Sequence, residues 1–363
     1  MCLTHQLAEL DPDASDAFAE RLLQTLNQGA LCLMTSVGHR TGLFDTMAAL
    51  PPAGSAEIAQ RSGLNERYVR EWLGAMTLGG IVRYDPDAGD YSLPPEHAAF
   101  LSRASAADNM AVFAQYIGLL GGVEDDIVQC FREGGGVPYS RYGRFNEVMA
   151  EDSGQSVLSS LFDHILPLVP DLTARLERGI RVLDIGCGCG RALNALAERF
   201  PASTFVGYDL LEDAISTARG EARARKLTNV RFEARDLSDF DRTAEPHAFD
   251  FITTFDAVHD QARPRNVLKG IQRALADDGV YLMQDIHAYS QVEQNLDHPL
   301  GPLLYTVSCM HCMTVSLAQG GEGLGTMWGR EKAQELLREA GFQSIEIHRL
   351  AHDVQNDYYV IRK

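Results

Sequence analysis

No apolar run in this chain reaches the roughly 18–20 residues that a membrane-spanning helix needs, so a membrane-embedded protein is not expected. The stretch from Met1 to Leu10 lacks a basic segment followed by an apolar one, so no secretory leader is expected either. Positive charge is scarce: 32 basic residues stand against 50 acidic ones, for a net charge of -18. A protein that binds a phosphate backbone wants basic stripes, and this balance argues against a nucleic-acid substrate. It is compatible with a cationic small-molecule ligand. The cysteines number seven, an odd count, and Cys187 and Cys189 fall in a glycine-rich turn. Reduced thiols in a cytoplasmic protein are therefore a better reading than a disulfide framework. Apolar side chain is plentiful, at 45 % against 23 % charged, which excludes disorder for most of the length; 363 residues suggest two domains.

The pattern changes near residue 150. From about Ala17 to Met47, Leu22, Leu23, Leu26, Ala30, Leu33 and Val37 recur at helical spacing. Two shorter helices follow, one opening at Ser55 and one with Tyr68, Val69, Trp72, Leu73 and Met76 on one face. A hairpin pattern comes next: Gly80–Tyr84, a turn at Pro86-Asp87-Ala88-Gly89, then Tyr91–Leu93. Helix, helix, hairpin is the order of a winged helix-turn-helix. Helical stretches around 109–120 and 123–131 lead to a glycine-rich hinge, Gly134-Gly135-Gly136-Val137-Pro138-Tyr139, and Phe145 to Arg178 again reads as mostly helical. The expected domains are 1–150, mostly helical, and 151–363.

From Ile180 onward strands alternate with helices, which implies an α/β domain with a doubly wound, mostly parallel sheet. The expected strands are Arg181–Ile185, Thr204–Asp209, Val230–Ala234, Phe249–Thr254, Gly279–Asp285, Ser344–Leu350 and Tyr358–Arg362. The connection from Leu350 to Tyr358 is too short for a helical crossover, so the last two strands should pair antiparallel.

The strongest chemical signal is Val182-Leu183-Asp184-Ile185-Gly186-Cys187-Gly188-Cys189-Gly190. A short apolar strand carrying Asp184 enters a turn with glycine at every second position, and a helix starts near Arg191. Glycines let backbone approach a ligand, and a helix N-terminus offers free N–H groups. The next strand ends in Tyr208-Asp209, where a carboxylate can bind two ribose hydroxyls, and Asp236 with Leu237 closes the strand after it. A dinucleotide turn reads G-x-G-x-x-G. Here the third glycine arrives one residue early, and Asp184 would repel a pyrophosphate while suiting an ammonium or sulfonium group.

With these residues the sequence resembles the class I S-adenosylmethionine-dependent methyltransferases over about residues 150–363. More narrowly it is similar to two-domain bacterial methyltransferases with an N-terminal winged helix, and in layout to small-molecule O-methyltransferases of natural-product pathways. The resemblance implies a Rossmann-like sheet of order 3-2-1-4-5-7-6 with the last strand antiparallel, and S-adenosyl-L-methionine as cofactor. It implies Asp184, Gly186, Gly188 and Gly190 around the methionine moiety, Asp209 with Leu210 at the ribose, Asp236 with Leu237 beside the adenine, and Phe255 among the cofactor contacts.

The catalytic candidates lie where ligands bind in open α/β sheets, beyond the carboxyl ends of strands. His259, in Asp256-Ala257-Val258-His259-Asp260, follows the fourth strand and is the first candidate base, with Asp256 or Asp260 to orient it; a packing role weighs about as much. His287 follows the fifth strand and is the second. Cys309-Met310-His311-Cys312 invites a thiol or metalloid reading, but no second ligand pair at zinc-finger spacing exists, so no metal site is expected. Packing on a buried helix is the plainer role for these side chains. Gly320–Gly325 reads as a mobile pocket edge; in the hinge Tyr139 and Tyr142 could reach the cofactor and Arg141 and Arg144 an anionic substrate, with an ordinary exposed loop the slightly stronger reading of all four. The expected function is methyl transfer to a small-molecule acceptor whose atom (O, N, S or C) stays open. The alternative is a cofactor-responsive transcriptional regulator, which the acidic balance of residues 1–110 disfavours. The expected partners are that acceptor and a second copy of the chain through the first helix, with neither nucleic acid nor membrane.

Overall fold

In the computed structural model the described residues are 10–104 and 109–363, so most of the segment that bears on a leader lies outside them. The chain divides into two compact units, one through Gly118 and one from Leu119. The first begins with α1 (Pro12–Thr41), capped by the Asp11 carboxylate, which accepts from the N–H groups of Asp13 and Ala14. The expected single helix to Met47 is interrupted: Gly42 adopts φ 72°, a left-handed conformation that closes α1 and admits α2 (Leu43–Ala49). Then come α3 (Ser55–Ser62), α4 (Glu66–Leu78), the hairpin β1 (Arg83–Asp85) and β2 (Asp90–Ser92), and α5 (Pro95–Leu101). Of the expected apolar face of α4, Val69, Trp72, Leu73 and Met76 are buried while Tyr68 is exposed, and Phe44 packs edge-on against Trp72 with centroids 5.2 Å apart. This core holds the two helices and the wing in the order the sequence suggested.

After α6 (Ala114–Gly121) the second unit runs through α7 (Glu124–Glu133), α8 (Phe145–Ser156), a run of short 3-10 and π turns, and α9 (Leu172–Arg178). Packing places residues 119–150 with this unit: Leu120, Val123, Ile127, Val137 and Tyr142 form one cluster with Val315. The sheet region follows as β3 (Arg181–Ile185), α10 (Arg191–Arg199), β4 (Thr204–Asp209), α11 (Glu212–Ala224), β5 (Val230–Ala234), α12 (Phe240–Thr243), β6 (Phe249–Phe255), α13 (Pro264–Ala274) and β7 (Leu275–Ile286). It ends with α14 (Gly301–Val307), α15 (Met313–Ala318), α16 (Gly329–Glu339), β8 (Ser344–His348) and β9 (Asn356–Arg362).

The seven strands are ordered β5-β4-β3-β6-β7-β9-β8, which is 3-2-1-4-5-7-6 when numbered within the sheet. β9 pairs antiparallel with both neighbours and the other pairs are parallel. Strands covered on both faces need continuous apolar runs, and two buried clusters sandwich the sheet. The parallel register ends β3, β4, β5 and β6 at one edge, which is where the loops carrying chemistry leave the sheet.

Candidate active site

The turn after β3 is held by geometry that needs glycine. Gly186 and Gly190 have φ of 72° and 68°. A Cβ at Gly186 would lie 2.4 Å from the Ala257 Cβ, and one at Gly190 2.5 Å from Phe232, whereas at Gly188 it would meet open space. Two glycines therefore allow close packing and the middle one leaves room above the loop. The N–H groups of Gly186 and Cys187 both donate to the Tyr208 carbonyl, tying the turn to the end of β4.

Asp209 closes that join. Its two carboxylate oxygens accept from Gly188 N–H at 2.8 Å and Leu211 N–H at 2.9 Å. Burial pushes its pKa up, against the pull of those backbone donors. Asp184 lies deeper and accepts from the Thr253 hydroxyl at 2.7 Å. Burial raises its pKa to about 7. Two carboxylates flank a glycine loop with open space above its middle residue, a donor set that fits a cationic, ribose-bearing cofactor. Leu210 is exposed next to Asp209, and Phe255 is half-buried at the end of β6. Asp236 is exposed after β5 with an oxygen bonded to Ser238 N–H, and Leu237 beneath it is buried. The expected cofactor residues thus gather at the ends of β3, β4, β5 and β6.

At the next strand ends sits His259, 3 % exposed. Its orienting partner is neither Asp256 nor Asp260, as adjacency suggested, but Asp285 on β7, whose Oδ1 lies 2.8 Å from His259 Nδ1. A side-chain nitrogen or oxygen of each of Asp256, His259 and Asp285 lies within 4.8 Å of those of the other two. Burial presses the imidazole pKa down, but the Asp285 and Cys312 side chains push it up and prevail, well above the ordinary histidine value. Asp256, at φ 49°, is driven well above the carboxylate range by burial and by Asp285. Asp260 is raised to about 6, chiefly by burial, and accepts from the Tyr139 hydroxyl at 2.6 Å.

His287 is engaged elsewhere. Its Nδ1 lies 3.0 Å from Asp357, which also takes the Arg330 guanidinium at 2.7 Å. Cys312 is buried and Cys309 half-buried on a π-helical turn, Ser308–Cys312. Neither joins a metal-holding group among the described residues. Cys312 is not an inert neighbour: its side chain acts on the His259 imidazole, and its Sγ lies 3.6 Å from His311 Nδ1. His311 is stacked on Phe145 at 3.6 Å between centroids, and burial lowers its pKa to about 3. Arg141 is paired with Asp126 and Arg144 with Glu147. Gly320–Gly325 is bonded to the His259 loop: Glu322 N–H donates to the Ala262 carbonyl and Gly325 N–H to that of His259. Asp285 and Trp328 were not singled out in the sequence, because a carboxylate inside an apolar strand and a tryptophan before a helix carry no local signal.

Residues 176–341 match the family described as "Methyltransferase domain", and residues 29–103 match "Rv2258c-like winged HTH domain". Within the second unit, residues 176–341 thus match a methyltransferase domain. A ubiquinone biosynthesis O-methyltransferase of Neisseria meningitidis serogroup C is 31 % identical to this chain over 111 residues, 30 % of this chain and 45 % of that protein. A trans-aconitate 2-methyltransferase of Acidovorax sp. JS42 is 27 % identical over 177 residues, 48 % and 62 % of the two chains. The chain thus spans about half the length of the curated relatives it matches. Human N-acetylserotonin methyltransferase, solved with S-adenosylmethionine, shares the fold with a TM-score of 0.65 at 19 % identity, covering 98 % of this chain and 99 % of that one. In this chain the glycine loop, Asp209 and the His259–Asp285 pair all lie at the strand ends along one edge of the sheet.

Proposed function

We propose that this protein transfers a methyl group from S-adenosylmethionine to a hydroxyl oxygen of a small molecule, with His259 as general base. The observation that carries the reading is the buried His259–Asp285 pair at the strand edge, one loop away from the glycine turn that Ala257 touches. The cofactor supplies an electrophilic methyl on a sulfonium, which needs no acid to leave. Asp184 suits its positive end, and Asp209 its ribose. Asp285 holds the Nδ1 side of the imidazole, which leaves Nε2 to receive a proton. As the acceptor oxygen takes the methyl that the bound cofactor would supply, leaving the bonding electrons on its sulfur, His259 Nε2 would receive the hydroxyl proton. An oxygen acceptor benefits most from such a base, because a thiol is already partly ionised near neutrality. For that reason oxygen is preferred here to a thiol or metalloid acceptor at Cys309 and Cys312.

The first unit is read as a docking element rather than a DNA reader. Arg67 and Arg70 of α4 are already paired with Glu71 and Glu66 on the same helix. Along α1, Phe18, Leu22, Leu23 and Leu26 are exposed, an apolar stripe that suits a second copy of the chain. Among the described residues no helix is long and apolar enough to cross a membrane, and all six described cysteines are free; the second copy proposed on α1 would make the protein a homodimer.

The test is a methyl-transfer screen over phenols, hydroxy acids and thiols. His259→Ala should lower kcat on an alcohol acceptor roughly 10²–10⁴-fold while S-adenosylhomocysteine affinity holds. Activity should climb on the alkaline side of the ordinary histidine value, because the imidazole must first lose its proton. Normal kcat with a lowered melting temperature would make His259 a packing residue and refute the base.

A further inference from the structure

Asp285 is unusual in how its two oxygens are used. Oδ1 accepts from His259 Nδ1 at 2.8 Å, from Trp328 Nε1–H at 2.9 Å and from Ile286 N–H at 2.9 Å. Oδ2 is buried and has no hydrogen-bond partner. The carboxylate is therefore oriented by donors gathered on one oxygen, and one of those donors comes from the far end of the glycine-rich loop. Trp328 is itself 5 % exposed and held on several sides. Its N–H donates to the Gly325 carbonyl, and its own carbonyl accepts from the Ser290 hydroxyl at 2.7 Å. Gly329 follows at φ 77°, and a Cβ there would lie 2.2 Å from the Ser290 nitrogen, so the backbone beside the tryptophan is pressed against the exit of β7. On the other side Gly325 N–H donates to the His259 carbonyl at 3.1 Å. The segment 325–329 thus grips both members of the pair, His259 by its backbone and Asp285 by its side chain.

We propose that Trp328 is a positioning residue for the base: its indole N–H fixes Asp285 Oδ1 so that His259 keeps its proton on Nδ1 and offers Nε2 to the acceptor. The proposal rests on the base reading for its consequence in catalysis, but its geometry is testable apart from that reading. A carboxylate oxygen shared among three donors gives less of its charge to each than one shared between two. Removing the indole donor concentrates the interaction on the imidazole and favours its charged form. The other ionisable groups that act on the imidazole or are acted on by it are Cys312 and His311 from the π turn, and Asp256 and Asp260 from its own loop. None of them is altered by a change of Trp328 to phenylalanine.

The chain holds two tryptophans, Trp72 and Trp328, so its indole N–H spectrum has two signals, assigned by whichever of Trp72→Phe and Trp328→Phe folds. With the full chain labelled at tryptophan and histidine and saturated with S-adenosylhomocysteine, the Trp328 indole signal should shift with pH at the inflection of the His259 ring. Asp285→Asn should abolish that shared inflection. In Trp328→Phe the His259 inflection should move to higher pH. A Trp328 signal that stays flat through the histidine titration overturns the proposal. So does an unmoved His259 inflection in a folded Trp328→Phe that has merely lost melting temperature. If Trp328→Phe does not fold, the titration of the unaltered chain decides alone. Loss of the base role would appear only in the His259→Ala kinetics and would leave this shared inflection in place, so the two readings fail separately.

Discussion

Replacing Asp184 by asparagine should stabilise the cofactor-free protein while weakening its hold on cofactor. Asp184 is 3 % exposed and donates nothing; it accepts one bond, from Thr253, which the asparagine Oδ1 can also accept. Burial raises its pKa from 3.8 to about 7. Between those values the folded protein keeps a proton that the unfolded chain has released. Stability therefore falls as pH rises through this window and levels off above about 7. A rise of about 3 units at 1.36 kcal/mol each puts the full penalty at about 4 kcal/mol. Asparagine is neutral throughout and avoids it. In melts without cofactor at about pH 8, Asp184→Asn should exceed the parent by about 8 °C, taking about 2 °C per kcal/mol for a unit of this size. The gap should close as the pH approaches about 4. Calorimetry should show S-adenosylhomocysteine bound at least tenfold more weakly, about 1.4 kcal/mol, because the negative charge proposed to meet the cationic end of the cofactor is gone. A gap that does not change with pH, or a variant less stable than the parent at pH 8, would refute the argument that Asp184 is held in the fold at a cost for the sake of a cation.

Asp209→Ala removes the acceptor for Gly188 N–H and Leu211 N–H as well as the expected ribose contact, so S-adenosylhomocysteine affinity should fall more than tenfold by calorimetry. Gly190→Ala forces a Cβ to 2.5 Å from Phe232 and 2.7 Å from Ala218 at φ 68°, and denaturant unfolding should show a loss of about 1–3 kcal/mol. Changing Leu22 and Leu26 of α1 to glutamate should convert a dimer to a monomer in light scattering; an unchanged mass would remove α1 from the interface. Fluorescence polarisation with duplex DNA at low salt should show weak, sequence-independent binding at most, and a salt-sensitive nanomolar site would restore the regulator.

Much of this protein was legible before any tertiary information. Strand positions were marked by short apolar runs, because a parallel sheet buried on both faces tolerates little else, and five of the seven strands start where the pattern starts. The antiparallel last strand followed from the brevity of the link between β8 and β9, since a crossover needs more chain than residues 349–355 supply. The glycine turn was visible because its φ values demand glycine and its spacing is local. What tertiary structure alone decided was anything joined across distance in sequence. Gly42 breaks the first helix where helical periodicity would have carried it on, because a glycine in the left-handed region satisfies the end of α1 through its N–H to Gly38 and His39. His259 finds its carboxylate 26 residues away on β7 rather than next door, and that carboxylate is shared with a tryptophan 43 residues further on. Neighbours in sequence leave a strand end pointing in different directions, whereas parallel register brings the ends of β6 and β7 side by side. Local pattern therefore determines which residues stand at the edge of the sheet, and the packing of strands and loops against one another determines which of them meet.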